Sequence, residues 1–150
     1  MIQIRWANTN DVATIAPLFD AYRQFYEKPA DLPLCMAFLT ARLERGESKV
    51  AVAEMDGAAV GFVQLYPLYS SLALSLDNEK VWLLNDLFVA PAGRGLGVGA
   101  ALLGFSQDFA RDSGADYLML ETAKTNLTAQ RLYEKQGWKR ENEFFVYLWR

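Results

Sequence analysis

A glycine-rich turn is the stretch of this sequence best suited to binding chemistry. Residues 89–103 read VAPAGRGLGVGAALL, a turn between a strand-like apolar run and a helix-like apolar segment. Its glycines are Gly93, Gly95, Gly97 and Gly99. Backbone N–H groups at a helix N-terminus attract anions, glycine lets a ligand approach closely, and Arg94 adds a cation. The turn therefore predicts a site for a phosphate or pyrophosphate group.

Two known phosphate-binding patterns compete for this turn. No Gly-Lys-Ser/Thr triplet follows it, which excludes a P-loop. Residues 95–100 match the G-x-G-x-x-A pattern of dinucleotide-binding folds, and Glu121 stands about twenty residues further on. However, the first glycine of that pattern should directly follow its strand, and here residues 90–94 lie between them. Dinucleotide-binding folds also begin with this strand–turn–helix unit, whereas here residues 1–80 precede it. A dinucleotide-binding domain therefore stays an alternative.

Length, charge and composition limit the class of protein. The chain has 150 residues, a formal net charge of −3, one cysteine and no histidine. This length fits one domain, residues 1–150, with its own core. The charge predicts no nucleic-acid or membrane partner, and the lack of histidine excludes Ser-His-Asp catalysis and predicts no metal site. We find no signal peptide or membrane-spanning run, and so expect a cytoplasmic protein.

Hydrophobic periodicity predicts a mixed α/β fold. The predicted order is strand, two helices, three strands, helix, strand, helix and one or two further strands, with Asp56-Gly57 as a hairpin turn. This corresponds to a central mixed sheet of six to seven strands flanked by about four helices. Pro17 is expected to kink or break the first helix. The later elements are predicted at 81–89 (strand), 97–112 (helix), 117–121 (buried strand), 126–136 (helix) and 144–149, FFVYLW (strand).

Two blocks of this sequence resemble a known enzyme superfamily. Arg94, Gly97 and Gly99 form the pattern R-x-x-G-x-G. The second block is N-x-x-A-x-x-L-Y-x-K-x-G-W, formed by Asn126, Ala129, Leu132, Tyr133, Lys135, Gly137 and Trp138. In this order and spacing they resemble the two signature blocks of the GNAT superfamily of acetyl-CoA-dependent N-acetyltransferases. The element order resembles that fold across nearly the whole chain, and the closest likeness is to the polyamine and histone/polyamine branch.

The resemblance implies where acetyl-CoA lies. The pyrophosphate would be bound by backbone N–H groups of Arg94, Gly95, Leu96, Gly97, Val98, Gly99 and Ala100. The pantetheine arm would add like a strand to the backbone of Leu87, Phe88 and Val89. Asn126 would bond the cofactor where two parallel strands splay apart, Tyr133 would lie near the thioester sulfur, and Lys135 would belong to the same cofactor site.

Acetyl transfer to an amine needs a base, a polarised carbonyl and an acid for the leaving thiolate. The resemblance makes Tyr133, with an ordinary pKa of about 10, the candidate acid; the alternative is a core aromatic. Asp86 and Glu121 are the candidate bases, because a carboxylate in an apolar strand needs a partner or a role. Asn85 stands where polyamine-type relatives commonly carry glutamate, so a water-mediated base there stays open.

The acceptor pocket is expected between the two early helices and residues 66–80. Its candidate residues are Phe25, Glu27, Tyr66, Asn85 and Asp86, because aromatics with carboxylates suit a cationic amine. Tyr22, Tyr26 and Tyr69 are further candidate walls, although Tyr22 and Tyr26 fit the core stripe of the first helix better. The function predicted is acetyl transfer from acetyl-CoA to a primary amine of a small molecule or peptide by direct attack. The alternative is a non-catalytic acyl-CoA-binding module. FFVYLW is expected to complete a sheet between the subunits of a homodimer.

Overall fold

A computed structural model of the chain describes residues 1–75 and 80–150, which form one mixed sheet and four α-helices. The strands are β1 (Ile2–Trp6), β2 (Lys49–Met55), β3 (Ala58–Leu68), β4 (Val81–Val89) and β5 (Tyr117–Met119). The helices are α1 (Val12–Phe25), α2 (Leu32–Glu44), α3 (Val98–Asp112) and α4 (Leu127–Lys135). None of the helices in the described residues is long and apolar enough to cross a bilayer.

The sheet order follows the chain, β1-β2-β3-β4-β5, with antiparallel pairs up to β4 and a parallel β4–β5 pair. The predicted hairpin turn between β2 and β3 is confirmed. Asp56 and Gly57 have φ of +50° and +79°, as a type I′ turn requires. The mixed α/β class is also confirmed.

The predicted count of six to seven strands is wrong, because the sheet has five strands in the described residues. The difference lies at FFVYLW, residues 144–149, which joins no strand and is exposed throughout. A strand forms only where its backbone groups find a partner, so high strand propensity alone does not build one.

Helices cover the sheet on both faces. On one face, α1 and α2 pack against β2, β3 and β4 in a core that includes Ile15, Phe19, Leu39, Val52, Phe62 and Phe88. On the other face, α3 packs against the sheet in a core that includes Val63, Leu65, Leu84, Leu102 and Leu103. Together the two layers hold the middle strands rigidly, which matters because β4 carries most of the predicted site.

A β-bulge in β4 changes which face its side chains reach. Gln64 of β3 lies opposite Asp86, and Leu65 lies opposite Leu84, so Asn85 is the extra residue. An extra residue shifts the alternation of side chains by one. Leu84 accordingly packs in the α3 layer, whereas Phe88 packs in the α1–α2 layer. The bulge turns Asp86 towards α1.

The parallel strands β4 and β5 separate after a short stretch of pairing. Val81, Trp82 and Leu83 pair with Tyr117, Leu118 and Met119, and β5 ends there. The prediction of a buried strand over 117–121 is therefore wrong in length and burial, since Tyr117 is 53% exposed. Along residues 84–89 of β4, no strand of residues 1–75 and 80–150 pairs with the edge that faces away from β3. This splay confirms the expectation of separating parallel strands.

Helix α1 continues through Pro17, so the prediction of a break there is wrong. Proline removes one hydrogen bond to the carbonyl four residues earlier. Pro17 and Ala13 both lie on the exposed side of α1, so water can satisfy that carbonyl. Of the segment 66–80, residues 66–68 belong to β3 and residues 76–79 lie outside the described residues.

Candidate active site

The turn between β4 and α3 presents a row of free backbone donors. Gly95 has φ of +74°, and Gly97, the N-cap of α3, has φ of +85° with no side-chain cap on the helix. Among the described residues, no protein acceptor receives the N–H groups of residues 95–100, and the helix ladder begins with Ala101 N–H donating to Gly97 O at 3.0 Å. Free donors at the positive end of a helix dipole form an anion site.

The glycines of this turn serve two different purposes. Gly95 and Gly97 are needed for their left-handed backbone, because a Cβ on either would meet nothing within 4 Å. Gly93 and Gly99 are needed for packing. A Cβ on Gly99 would lie 3.1 Å from Leu132 Cδ2, which places α3 directly against α4, and one on Gly93 would lie 3.0 Å from Val60 Cβ.

Gly97→Ala is expected to weaken both folding and CoA binding, because it forces a side chain into the left-handed region. The strain costs about 1 kcal/mol of unfolding free energy. Gly104→Ala is the matched control: Gly104 lies inside α3 with open space around it, so alanine there stabilises by about 0.5–1 kcal/mol. Urea unfolding and CoA titration of both variants test this. Equal CoA affinity in the two would contradict a role for the Gly97 backbone.

The Arg94 side chain hydrogen-bonds the glycine-rich turn to the free edge of β4. Its Nε donates to Val89 O at 3.0 Å, and its guanidinium carbon lies 5.8 Å from the centroid of the Phe88 ring. Ala90 N–H points the other way, to Val60 O on β3 at 2.8 Å. Backbone groups alternate in direction along a strand, so those of Leu87 and Val89 point to the open edge. That is the edge where the resemblance places pantetheine.

A cavity of about 580 Å³ opens where β4 and β5 separate. Its lining residues are Tyr22, Tyr26, Leu83, Leu84, Asn85, Glu121, Thr122 and Ala123. The carboxyl ends of parallel strands, where neighbouring connections diverge, are the usual location of ligand sites in open sheets. Tyr22 and Tyr26, assigned from the sequence to the core stripe, line this cavity, and Tyr26 is 48% exposed.

A buried chain of hydrogen bonds lies directly behind the cavity. Asp86 is 3% exposed and accepts from Gln64 Nε2 at 2.6 Å and from Asn85 Nδ2 at 3.0 Å. Gln64 in turn accepts from Ser48 Oγ at 2.9 Å. At the cavity end, the Tyr22 hydroxyl donates to Asn85 O at 3.3 Å. Asp86 is thus connected to the cavity through Asn85, which lines it, and Tyr22 lies next to the same residue.

Burial raises the pKa of Asp86 above its ordinary value, although hydrogen bonds from Gln64, Tyr22 and Asn85 oppose the rise. Between the ordinary pKa of about 3.8 and the raised pKa, the folded protein therefore binds more protons at this site than the unfolded chain does. This group is consequently most favourable to folding below its ordinary pKa, and its contribution declines as the pH rises through the raised pKa.

Asp86→Asn is expected to remove this pH dependence. The unfolding free energy of the native protein should fall relative to that of the variant as pH rises from about 3.8 through the raised pKa of Asp86. Urea unfolding of both proteins across this range measures the difference. Asp112→Asn, at an exposed carboxylate, controls for the loss of one negative charge. A constant difference across the pH range would contradict the shift.

Tyr133 lies on α4, half-buried, with its ring centroid 6.3 Å from that of Trp138. Burial raises the pKa of its hydroxyl, and the nearby Tyr26 adds to the effect. The hydroxyl is therefore protonated at neutral pH, as a proton donor must be. The ring of Tyr133 packs against the α3 core beside Leu132 and Trp138, as expected of a core aromatic. This packing of the ring is compatible with a chemical role for the hydroxyl.

Two further residues predicted to bind the cofactor, Asn126 and Lys135, lie at the two ends of α4. Asn126 is the N-cap of α4, and its Oδ1 accepts from Ala129 N–H at 3.2 Å. Lys135 is exposed in the last turn of the same helix. Asn126 thus holds the start of the helix that carries Tyr133. Contact of either side chain with the cofactor stays a prediction.

The predicted acceptor residues are only partly brought together. Asn85 lines the cavity and Asp86 lies behind it, whereas Phe25, Glu27 and Tyr66 are not among the lining residues. Phe25 is 61% exposed, and Glu27 lies in the turn after α1 with φ of +62°. Tyr66 is half-buried in β3, and burial together with Asp86 raises its pKa to about 12. Their contact with an acceptor stays a prediction.

Glu121 is exposed beyond the end of β5, where it lines the cavity, and not inside an apolar strand as predicted. No ion pair involves it among the described residues. Tyr22 packs against the α1–α2 core, as its place on an apolar helix face predicts, and it also lines the cavity. No group of three His, Cys, Asp or Glu side chains within residues 1–75 and 80–150 is placed to hold a metal.

Comparison with known proteins identifies the family. The model of the acetyltransferase (GNAT) family matches residues 14–138. The chain belongs to the GNAT acetyltransferase family. It is 44% identical over 146 residues to the uncharacterized N-acetyltransferase YhfO of Bacillus subtilis (strain 168), covering 97% of this chain and 95% of that protein. The crystal structure of a probable acetyltransferase superposes with a TM-score of 0.91 at 35% identity, covering 99% of this chain and 97% of the other.

The GNAT fold extends to more distant neighbours. An aminoglycoside acetyltransferase, AAC(6′)-Iy, solved with a bisubstrate analogue of CoA and acetylneamine, superposes with a TM-score of 0.81 at 20% identity, covering 100% of this chain and 99% of that one. That protein binds CoA; at this identity the likeness shows a common fold. Family membership makes the chain an N-acetyltransferase and favours that class over the CoA-binding module and the dinucleotide-binding domain.

Proposed function

We propose that this GNAT enzyme transfers the acetyl group of acetyl-CoA to the primary amine of a small cationic molecule or a peptide, by direct attack in a ternary complex. The observation that carries the proposal is the cavity at the splay of β4 and β5. Leu83, Leu84 and Asn85 of β4 line it, and the same strand continues to the turn with the free backbone donors before α3. Residues 1–150 act as one acetyltransferase domain, in the cytoplasm.

The cofactor is held by backbone more than by side chains. The pyrophosphate binds the N–H groups of residues 95–100, with the guanidinium of Arg94 beside them. Pantetheine runs along the outward-facing backbone of Leu87 and Val89, and this directs the thioester towards the bulge at Asn85. A strand N–H at that edge polarises the thioester carbonyl. Acetyl-CoA is thus a co-substrate, and no metal takes part.

The leaving thiolate receives its proton from Tyr133. The hydroxyl is protonated at neutral pH because burial raises its pKa. Tyr133 is not among the cavity's lining residues, but Tyr26, which lines the cavity, is near enough to affect the pKa of Tyr133, and this supports the acid role. Helix α4 is itself fixed by the Asn126 cap and by the contact of Leu132 with Gly99.

The attacking amine loses its proton to Asp86 by way of Tyr22. Tyr22 lines the cavity, and its hydroxyl donates to Asn85 O, next to Asp86. When the amine binds, this hydroxyl turns to the Asp86 carboxylate, so that its oxygen accepts the amine proton while its own proton passes to Asp86. A raised pKa makes Asp86 a stronger base than an ordinary carboxylate. This route needs no carboxylate at Asn85, whose side chain instead donates to Asp86.

The acceptor is cationic before it reacts. Glu121 at the cavity wall attracts an ammonium group by charge, and the faces of Tyr22 and Tyr26 add cation–π attraction. The volume of about 580 Å³ accommodates a small ligand or one side chain of a peptide. A polyamine-like acceptor is the finer version of this proposal, supported by the likeness of residues 82–99 and of the Tyr133 block to that branch, although Asn85 departs from it. We also propose that the enzyme acts as a homodimer.

An acceptor panel tests the proposed reaction. Release of CoA thiol from acetyl-CoA is followed with polyamines, amino acids, aminoglycosides and lysine peptides. Rapid thiol release matched by acetylation of at least one amine is the expected result. CoA binding without thiol release on any amine would favour the non-catalytic module, and NADH binding without CoA binding would favour a dinucleotide site.

A further inference from the structure

A row of three buried polar side chains crosses the sheet behind the cavity. Ser48, directly before β2, Gln64 of β3 and Asp86 of β4 are 7%, 0% and 3% exposed. Val50 of β2 lies opposite Gln64, and Gln64 lies opposite Asp86. Side chains two residues apart share a face, so the three polar side chains form one line across three neighbouring strands. We call this line the buried polar row.

The place of Gln64 in the core makes its polarity unfavourable for folding alone. Gln64 is on the same face of β3 as Phe62, which packs in the α1–α2 core. Burying a carboxamide costs free energy unless its donor and acceptor groups find partners, whereas an apolar side chain needs none. The amide at this position is therefore explained by the groups it bonds.

The hydrogen bonds of the buried polar row run in one direction when Asp86 is ionised. A carboxylate only accepts, so the Gln64 amide presents its Nε2 to Asp86 Oδ2, at 2.6 Å. Gln64 Oε1 then faces the other way and accepts from Ser48 Oγ at 2.9 Å. The Ser48 hydroxyl thereby stabilises the orientation of the amide in which its N–H group points to Asp86.

The Asp86 carboxylate has a fixed orientation but retains free acceptor sites. Oδ2 accepts from Gln64, and Oδ1 accepts from Asn85 Nδ2 at 3.0 Å. A donor on each oxygen opposes rotation of the carboxylate about its last side-chain bond. A carboxylate has about four acceptor sites, so about two remain that can take a proton.

From this geometry we propose that Gln64, itself held by Ser48, is a positioning residue of the acetyl-transfer reaction: its amide fixes the Asp86 carboxylate in the orientation in which it receives the proton of the attacking amine. This role rests on the proposed function, in which Asp86 is the base. Neither Gln64 nor Ser48 lines the cavity where β4 and β5 separate, so both act through Asp86 and not by contact with a ligand.

Tyrosines from two neighbouring elements lie near Asp86. They are Tyr22 of α1 and Tyr66 of β3, and burial raises the pKa of both, that of Tyr66 to about 12. Arg42 of α2 and Glu47, which pair at 3.4 Å, act on Tyr66. In the part of the chain that the structure describes, hydrogen bonds and not charges therefore oppose the effect of burial on the pKa of the Asp86 carboxyl.

Gln64→Leu tests this role, because leucine has a similar size and forms no side-chain hydrogen bond. Above the acidic limb of the pH profile, where Asp86 is ionised, lost orientation should lower kcat/KM by about 10- to 100-fold. The limb itself should move to higher pH, since a donor that stabilises the ionised carboxylate is lost. Carbon NMR of the Asp86 carboxyl, without substrate, should show the same direction of change. CoA affinity should stay that of the native protein.

Ser48→Ala and Ser48→Thr form a second, milder pair of variants. Alanine removes the hydroxyl that orients the Gln64 amide, so it should cause the same changes at smaller size. Threonine keeps the hydroxyl, and a cavity of about 370 Å³ lined by Ser48 gives room for the added methyl group, so native behaviour is expected. Ser106→Ala is the matched control, because Ser106 is also buried and donates to Leu102 O within α3. Its limb should stay in place.

A double variant separates positioning from a general structural effect. Gln64→Leu should cause no further loss of kcat/KM in an Asp86→Asn background, because it acts through Asp86. Multiplied losses, or an acidic limb and a carboxyl titration that stay in place in Gln64→Leu, would overturn the role. If urea unfolding shows that Gln64→Leu does not fold, equal pH profiles of Ser48→Ala and Ser48→Thr would overturn it. Failure of the proposed function is distinguishable, since the native protein would then release no thiol with any amine.

Discussion

Tyr133→Phe is expected to lower turnover by about 10²- to 10⁴-fold while leaving the affinity for acetyl-CoA unchanged. The variant removes only the hydroxyl that protonates the leaving thiolate. The ring, which packs beside Leu132 and Trp138, is kept, so the fold and the CoA site survive. Steady-state thiol release gives turnover, and titration with CoA gives affinity.

The control for this prediction is Tyr69→Phe, which removes a hydroxyl from a 71% exposed side chain that does not line the cavity. Its turnover should equal that of the native enzyme. Unchanged turnover in Tyr133→Phe would remove the acid role. A parallel loss of CoA affinity would instead make Tyr133 a residue of the cofactor site.

Tyr22→Phe and Asp86→Asn are each expected to lower kcat/KM by about 10²-fold, and the double variant should be no slower than the worse single variant. Both residues belong to the proposed proton path, from the amine through the Tyr22 oxygen to the Asp86 carboxylate. Once one residue of the path is lost, removing the second should not lower kcat/KM further. Multiplicative losses in the double variant would show that the two residues act separately.

The pH profile distinguishes this path from a structural role for Tyr22. The hydroxyl of Tyr22 lowers the pKa of Asp86, in opposition to burial. Its removal raises that pKa further, so the acidic limb of kcat/KM in Tyr22→Phe should move to higher pH, because the base acts only when deprotonated. Tyr26→Phe, which also lines the cavity, is the matched control and should leave the limb in place.

Local patterns in the sequence predicted the turns whose conformation depends only on neighbouring residues. Asp56-Gly57 sets a hairpin turn by itself, since both residues take positive φ. The glycine-rich turn before α3 likewise depends on its own backbone, and Gly97 lies at the helix N-cap as the register R-x-x-G-x-G requires. The block around Tyr133 identified the family without any knowledge of packing.

The features that the sequence did not reveal depend on partners far along the chain. The bulge at Asn85 exists because Gln64 and Leu65 of β3 set the register of β4. Tyr22 lines the cavity because β5, which is far from it in the sequence, ends where it does. The sequence pattern of an apolar helix face is the same whether that face packs against a core or lines a cavity. The segment 144–149 has strand propensity, but pairing is decided by the free edges available.

The central claim is that an amine in the cavity between β4 and β5 attacks acetyl-CoA directly. A single-turnover experiment with acetyl-labelled acetyl-CoA, enzyme in excess and an amine selected from the acceptor panel tests it most directly. The label should pass from CoA to the amine in one step, at the rate of thiol release, with no labelled protein at any time. Label on the protein before it reaches the amine, or thiol release without an acetylated amine, would contradict the account.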